Sequence, residues 1–454
     1  MRNPMFVYDE QLTNLVLDYC RWRLALDPVP LDFGGAQASS LDASLSGLIN
    51  ATGTDAGHIM EVFDNELATA VISCDSPRFL SFIPAAPTKA SLLFDMVVAC
   101  SSLQGTSWME AAGAVAAENQ ALDVLAGLAG LPEGAGGCFV SGGSAGNLSA
   151  LMVARDTADH RLGERAPTRP LVAISEEAHS SVGKALRVLG VESLLVPCDD
   201  HRLTGPGLSA ALDGHPRGRD VIAVVATAGT TNAGIIDDLA GVGSVARDRS
   251  LWYHVDGAYG CAALLAPSVR SHFDGIEMAD SMVVDPHKWL FAPFDCAALI
   301  YRRPHLAKAV HTQDASYLDV MHSETRDDWN PSDYAYHLTR RARGLPLWFS
   351  LAVYGTDAYR DAIETVLATT QQSADLIERV PYLELERRPE LSVVLFRRLG
   401  WGWTEYETWS NQLLADQIGF VVPTVWEGRA VGRLALLHPD TSVEMIGEIL
   451  ATMA

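Results

Sequence analysis

Two apolar, β-branched runs in the chain end on residues that can do chemistry. One closes as His254-Val255-Asp256-Gly257-Ala258-Tyr259 and the other as Val283-Val284-Asp285-Pro286-His287-Lys288-Trp289-Leu290, with Lys288 lying 32 positions after Asp256. Two buried strands of this kind carry a carboxylate and an amine to one edge of a parallel sheet, where α/β folds bind ligands. An amine that forms a Schiff base, with an aspartate to hold a pyridinium nitrogen, is what pyridoxal phosphate requires of a protein. For an isolated His-Lys pair the plainer reading is a surface lysine after a strand, and the rest of the chain decides between the two.

Phe139-Val140-Ser141-Gly142-Gly143-Ser144-Ala145-Gly146-Asn147 leads from a strand into a helical pattern over Leu148 to Ala158. Small residues let the backbone approach an anion, and free N–H groups with the helix dipole stabilise it. The same stretch matches G-x-S-x-G, the nucleophile elbow of serine hydrolases, with Ser144 as nucleophile. On this motif alone the two readings stand level. A hydrolase elbow also needs an HGGG-like oxyanion segment upstream, and none precedes Ser144. A phosphate site needs further donors and a ring clamp, which Thr230-Thr231 (in Ala228 to Gly234) and His179 (in Glu177 to Ser181) can supply.

The elements that hold these groups follow from changes of pattern. Residues 1–89 mix helical periodicity with Gly-, Ser- and Asp-rich loops and are expected to form an N-terminal arm. Between residues 90 and 343 short apolar runs alternate with helix-like segments: Cys138 to Ser141, Leu171 to Ser175, Val221 to Thr227, Leu251 to Asp256, Ser281 to Asp285 and Ala297 to Tyr301. Strands separated by helices imply an α/β domain with a mainly parallel sheet covered on both faces. The polar stretch 311–336 has no sustained period and reads as a long mobile loop. Residues 344–454 read as a connecting helix through Leu345 to Ala368, broken near Gly355, and a small α+β domain. Its strands are expected at Leu391 to Phe396, Gly419 to Pro423 and Gly432 to Leu437, with a last helix from Ser442 to Met453.

These blocks, in this order and with these gaps, resemble the group II pyridoxal-phosphate decarboxylases, the family of aromatic-L-amino-acid, histidine and glutamate decarboxylases. The match runs from Ser76-Pro77-Arg78-Phe79 to Arg340-Arg341-Ala342-Arg343-Gly344-Leu345-Pro346-Leu347-Trp348-Phe349. The resemblance implies fold type I, with a mainly parallel seven-stranded sheet, and a homodimer with active sites at the interface. It implies that Lys288 binds the cofactor and Asp256 pairs with the pyridine nitrogen. His179 would stack on one ring face, with Ala258 against the other. Gly143, Ser144 and Thr231 (or Thr230) would hold the phosphate, with His287 beside it. Asp285 stands where the animal aromatic decarboxylases have asparagine, and an unpaired carboxylate there would repel the anion. Tyr317, in Gln313-Asp314-Ala315-Ser316-Tyr317-Leu318, aligns with the family's catalytic loop and its proton donor. Phe82, Ile83, Pro84, Thr106 and Trp108 match segments that line the substrate side chain, although Phe82 and Trp108 read equally as plain core. Cys74, Ile83 and Thr106 stand where larger aromatics are expected, so the wall that would specify a catechol is thinner.

The expected activity is decarboxylation of an L-amino acid, with an aromatic or other apolar side chain, to an amine and carbon dioxide. On the same scaffold the rivals are an aldehyde-forming oxidative decarboxylase and a carbon-carbon lyase. From other classes come a serine hydrolase using Ser144 and a cofactor-free interaction protein. The 454-residue chain carries 33 basic and 56 acidic residues. Its formal charge of −23 disfavours nucleic acid and anionic membranes as partners. The seven scattered cysteines have no CxxC pair or metal-ligand spacing and read as reduced. No stretch reaches the roughly 18 apolar residues of a membrane helix, and the N-terminus lacks a signal-like apolar core, so a cytoplasmic location is expected.

Overall fold

Runs of Val, Ile, Leu and Ala with both faces apolar build one large sheet in this computed structural model, which describes residues 3–35, 37–83, 86–162, 166–313 and 328–454. The strands are β1 (Gly136–Val140), β2 (Leu171–Ser175), β3 (Glu192–Val196), β4 (Val221–Thr227), β5 (Trp252–Asp256), β6 (Ser281–Val284) and β7 (Ala297–Tyr301). Their order is β1-β7-β6-β5-β4-β2-β3. Neighbours from β6 across to β3 pair in parallel, and β7 runs antiparallel to both β1 and β6. Every residue of β1, β2, β4, β5, β6 and β7 is buried, as a sheet covered on both faces requires. β3 is the strand that no apolar run announced. It lies at the sheet edge with Glu192, Ser193 and Leu195 exposed, so its sequence alternates instead of running apolar.

The helix Gly143–Leu162 follows β1 and packs tightly on β6. A Cβ added at Gly146 would collide with Val283 Cγ2, so glycine is what lets the helix sit this close. Its first turn is thereby held over the ends of β5 and β6. A buried ion pair fixes the surrounding segments: Arg340 Nη1 and Nη2 lie 2.7 and 2.8 Å from the Glu118 carboxylate, and Glu118 also accepts from Gly344 N at 2.7 Å.

The small sheet comprises β8 (Leu383–Leu385), β9 (Val393–Arg398), β10 (Thr424–Trp426) and β11 (Arg429–Ala435), in the order β10-β11-β9-β8 and antiparallel throughout. The helix Leu345–Arg379 leads to it and is interrupted at Gly355, whose φ of 76° and ψ of 162° are not helical. The strand expected over Gly419 to Pro423 does not form. There Phe420 N donates to Arg78 O, Phe420 O accepts from Leu80 N, and Val422 N donates to Ser81 Oγ. These bonds tie the segment to residues 78–81 through a single bridge, Phe79 to Phe420, and β10 begins only past Pro423. β8, with three residues, is too short to show a period.

Packing narrows the stretch 311–336 that reads as a loop. His311 ends the helix Pro304–His311, and residues 330–335 are buried, with Trp329 stacked on Tyr334 at 4.2 Å between ring centroids. Residues 314–327 lie outside the described residues. In contrast, the helices Glu10–Ala25, Ala38–Leu45 and Ala56–Val62 contain no buried residue, and Met5, Phe6, Tyr8 and Trp22 are exposed.

Candidate active site

β5 ends on Asp256, in register with Val283 of β6, so both strand ends open on one sheet edge. Asp256 is buried, and its Oδ1 accepts from Ala258 N at 3.2 Å while Oδ2 accepts from Asn147 Nδ2 at 2.8 Å. Past β6 the chain turns, with Lys288 N donating to Asp285 O at 2.9 Å. That turn folds the Lys288 ammonium back to 2.9 Å from Asp285 Oδ2. His287 Nε2 lies 3.6 Å from the same oxygen, and its Nδ1 accepts from Cys296 N at 3.0 Å. Burial pushes the His287 imidazole below its ordinary pKa, against the pull of the Asp285 carboxylate, so the ring is neutral near pH 7. Asp285 is therefore paired on one oxygen, while its buried Oδ1 has no hydrogen-bond partner among the described residues.

A cavity of about 250 Å³ opens at these strand ends. Gly142, Gly143, Ser144, His179, Thr231, Asp256, Ala258, Asp285, His287 and Lys288 all line it. Ala145 N and Gly146 N both donate to Gly142 O, whereas the N–H groups of Gly143 and Ser144, in the first turn of the helix, find no protein acceptor among the described residues. They point the positive end of a 20-residue helix at the cavity. A Cβ at Gly143 would sit 3.0 Å from Ala258 Cβ and 3.1 Å from Asp285 Oδ2, filling the cradle.

The adjacent threonines differ. Thr230 is buried and its hydroxyl accepts from Ile235 N at 3.1 Å, closing the turn, while Thr231 faces the cavity. Arg433, from β11, fixes that turn by donating to Thr231 O at 2.6 Å and Asn232 O at 3.1 Å. Burial lowers the Arg433 pKa to about 10, which leaves it charged near pH 7. His179 caps the helix Ser180–Leu189, its Nδ1 accepting from Ser181 N at 3.3 Å, and its ring stands open at the cavity mouth.

Of the residues expected around the substrate, Phe82, Ile83, Thr106 and Trp108 do not line this cavity. Thr106 is buried behind Arg340, whose N–H donates to its hydroxyl at 3.4 Å, and Trp108 N donates to Asn330 Oδ1 at 3.0 Å. Ile83 packs against the main core. Phe82, at φ 55°, lines a neighbouring cavity of about 250 Å³ with Val422, Pro423 and Thr424, joined to the first through Thr231. Pro84 and Tyr317 lie outside the described residues. Asn147, Ser181, Thr227 and Tyr259 also line the cofactor-sized cavity and were not singled out. Asn147 closes the glycine motif, and that position was the available signal.

The donor set suits pyridoxal phosphate: an amine, a buried carboxylate at a strand end, a glycine cradle whose N–H groups have no acceptor among the described residues, and the buried Thr227 hydroxyl, which also has no partner among them. It does not suit a serine hydrolase. No hydrogen bond joins Ser144 to a histidine among the described residues, and the neighbouring rings of His179 and His287 bond elsewhere.

Comparison with known proteins agrees. The pattern of the pyridoxal-dependent decarboxylase conserved domain matches residues 47–399. An aromatic-L-amino-acid decarboxylase of Bacillus atrophaeus is 29% identical over 88% of this chain and 85% of its own length. An L-2,4-diaminobutyrate decarboxylase of Rhizobium meliloti is 33% identical over 79% of this chain and 74% of its own. The crystal structure of Oryza sativa TDC with PLP and tryptamine superposes with a TM-score of 0.91 at 24% identity, covering 100% of this chain and 99% of that one. At that identity the superposition speaks for the fold.

Proposed function

The chain belongs to the pyridoxal-dependent decarboxylases, lyases that remove the carboxyl group of amino acids, and from that premise we propose which of its residues do the work and on what substrate. Lys288 holds the cofactor and Asp256 holds a proton at its ring nitrogen. Gly143, Ser144 and Thr231 donate to its phosphate, while His179 and Ala258 flank the ring. Bound there, pyridoxal phosphate supplies the electron sink for the pair released as carbon dioxide leaves. The observation that carries this assignment is the convergence of Lys288, Asp256 and the free N–H groups of Gly143 and Ser144 on one cavity. Tyr317 delivers the proton to the carbon that loses its carboxyl group, a role that rests on the sequence resemblance alone.

The substrate is an L-amino acid with an aromatic or other apolar side chain. Support comes from the adjoining cavity, where Phe82, Val422 and Pro423 supply an apolar wall, and from relatives named as aromatic-L-amino-acid decarboxylases. The product is the amine. A carbon dioxide assay over all proteinogenic L-amino acids tests the substrate class, and release confined to charged side chains would overturn it. Tyr317→Phe tests the product: amine should fall while aldehyde and peroxide rise in air, and an unchanged amine yield would remove Tyr317 from the role.

The enzyme works as a cytoplasmic homodimer. The exposed apolar side chains of the N-terminal segment, Met5, Phe6, Tyr8 and Trp22 among them, support a second copy as their cover, and seven cysteines scattered along the chain without a CxxC pair support a reducing compartment. Sedimentation should give twice the chain mass.

A further inference from the structure

Six buried side chains, three of them lining the cavity, form one branched hydrogen-bonded network, and the direction of each bond follows from chemistry: Asp256, Asn147, His254, Ser281, Trp252 and Ser181. Asp256 Oδ2 can only accept, so the Asn147 atom 2.8 Å away is its amide nitrogen. Asn147 Oδ1 then faces His254 Nε2 at 2.9 Å, which places a hydrogen on that nitrogen. Trp252 Nε1 can only donate, and it does so to Ser281 Oγ at 2.8 Å. The Ser281 hydroxyl hydrogen is left for His254 Nδ1, 2.8 Å away. Burial drives the His254 pKa down to about 4 against the pull of Asp256, which agrees with a neutral ring carrying a single hydrogen.

A second branch leaves the same asparagine. Its other amide hydrogen points to Ser181 Oγ at 3.1 Å. Ser181 Oγ lies 2.8 Å from His179 Nδ1, and Ser181 N donates to that nitrogen at 3.3 Å. Two donors thus converge on Nδ1, so a neutral His179 carries its hydrogen on Nε2, which has no partner among the described residues. Asn147 is the branch point. It reaches Asp256 on one side and His179 on the other, the two groups assigned above to the ring nitrogen and the ring face.

We propose that Asn147 is a positioning residue that fixes the proton arrangement of both cofactor-facing groups, holding Asp256 as an oriented carboxylate acceptor and His179 as an Nε2–H donor. The inference rests on the assignment of Asp256 and His179 to the cofactor. Stability alone does not account for the network. Apolar side chains of similar shape would fill a buried layer between β5, β6 and the helix Gly143–Leu162 at little cost, and a buried polar network is retained where orientation matters.

The test reads tautomers and kinetics together. In protein labelled with ¹⁵N-histidine, cofactor-free and loaded, His254 should appear as the neutral Nε2–H form and the neutral fraction of His179 should carry its hydrogen on Nε2, assigned by the loss of each signal in His254→Gln and His179→Gln. Asn147→Leu should mix the tautomers of both rings and reduce kcat by ~10- to 100-fold with little change in KM, as for loss of a hydrogen bond to a buried charge. Ser181→Ala should disturb His179 alone and Ser281→Ala His254 alone, which keeps the proposal open to test should Asn147→Leu not fold. A hydrogen on His179 Nδ1 in the unsubstituted protein, or Asn147→Leu with both tautomers and kcat unchanged, overturns it. Tautomers in cofactor-free protein are read without any assumption about Lys288, so a wrong cofactor assignment, seen as a borohydride label elsewhere, is distinguishable from a wrong role for Asn147.

Discussion

The two ends of the cofactor cavity are finished to different degrees. At the Asp256 end, both carboxylate oxygens are hydrogen-bonded and a buried relay through Asn147 and His254 runs back to Trp252. At the Lys288 end, the ammonium sits against Asp285, while one buried Asp285 oxygen and the N–H groups of Gly143 and Ser144 have no partner among the described residues. A buried group without a partner costs free energy, and these groups stand where the phosphate and the Schiff base are proposed to form. One end is pre-organised by the chain itself. The other is completed by what binds there.

Substitutions can break this contrast, and the largest effect belongs at the open end. Lys288→Ala should abolish turnover in a protein whose circular dichroism is unchanged; measurable carbon dioxide release at more than a thousandth of the original rate would show that another amine serves. At the finished end, Asp256→Asn removes the charge proposed to hold the ring proton, and kcat should drop by ~10²-fold or more, with Asp256→Glu hurt less. Asp285→Asn should act on binding. Without a carboxylate beside the Gly143 cradle, the cofactor dissociation constant should tighten by ~10-fold or more, since like charges about 4 Å apart repel more strongly away from bulk water than in it. Weaker binding in that variant would mean that Asp285 supports the cradle.

An effect on stability tests whether the relay is closed off from water. The His254 pKa is lowered to about 4 by burial, while an unfolded histidine titrates near ~6.5. The unfolded chain therefore takes up the proton first, so the stability tied to this ring is fully present above about pH 6.5 and is lost as pH falls toward 4. The loss is of the order of 3 kcal/mol. Urea melts between pH 7 and 5 should show a slope that His254→Gln flattens; equal slopes in the two proteins would mean that the ring is open to protons.

Sequence revealed the open end more fully than the finished one. Lys288 and the glycines announce themselves, as Asp256 alone does at the other end, because strand ends and tight turns are local features, each readable within about ten residues. Asn147 stands in the same glycine motif, yet its partners Asp256 and His254 lie 109 and 107 residues away, and only the sheet brings them together. Thr230 and Thr231 cannot be told apart by type; which hydroxyl faces the cavity depends on which one closes the turn to Ile235. Strand β3 escaped because an edge strand has a wet face, and the segment Gly419 to Pro423 misled because its apolar residues pair with residues 78–81 instead of joining the small sheet. Phe82 was placed beside the substrate by resemblance, and it borders the neighbouring cavity, not the one holding Lys288.

The central assignment, that Lys288 is the amine completed by the cofactor, is tested most directly by chemistry on the holoprotein. The yellow protein is reduced with borohydride, digested, and the modified peptide sequenced by mass spectrometry. The account predicts a single reduced pyridoxyl group on Lys288, in the peptide containing Asp285-Pro286-His287-Lys288-Trp289. A label on any other lysine, or a yellow protein that borohydride leaves unmodified, would contradict it.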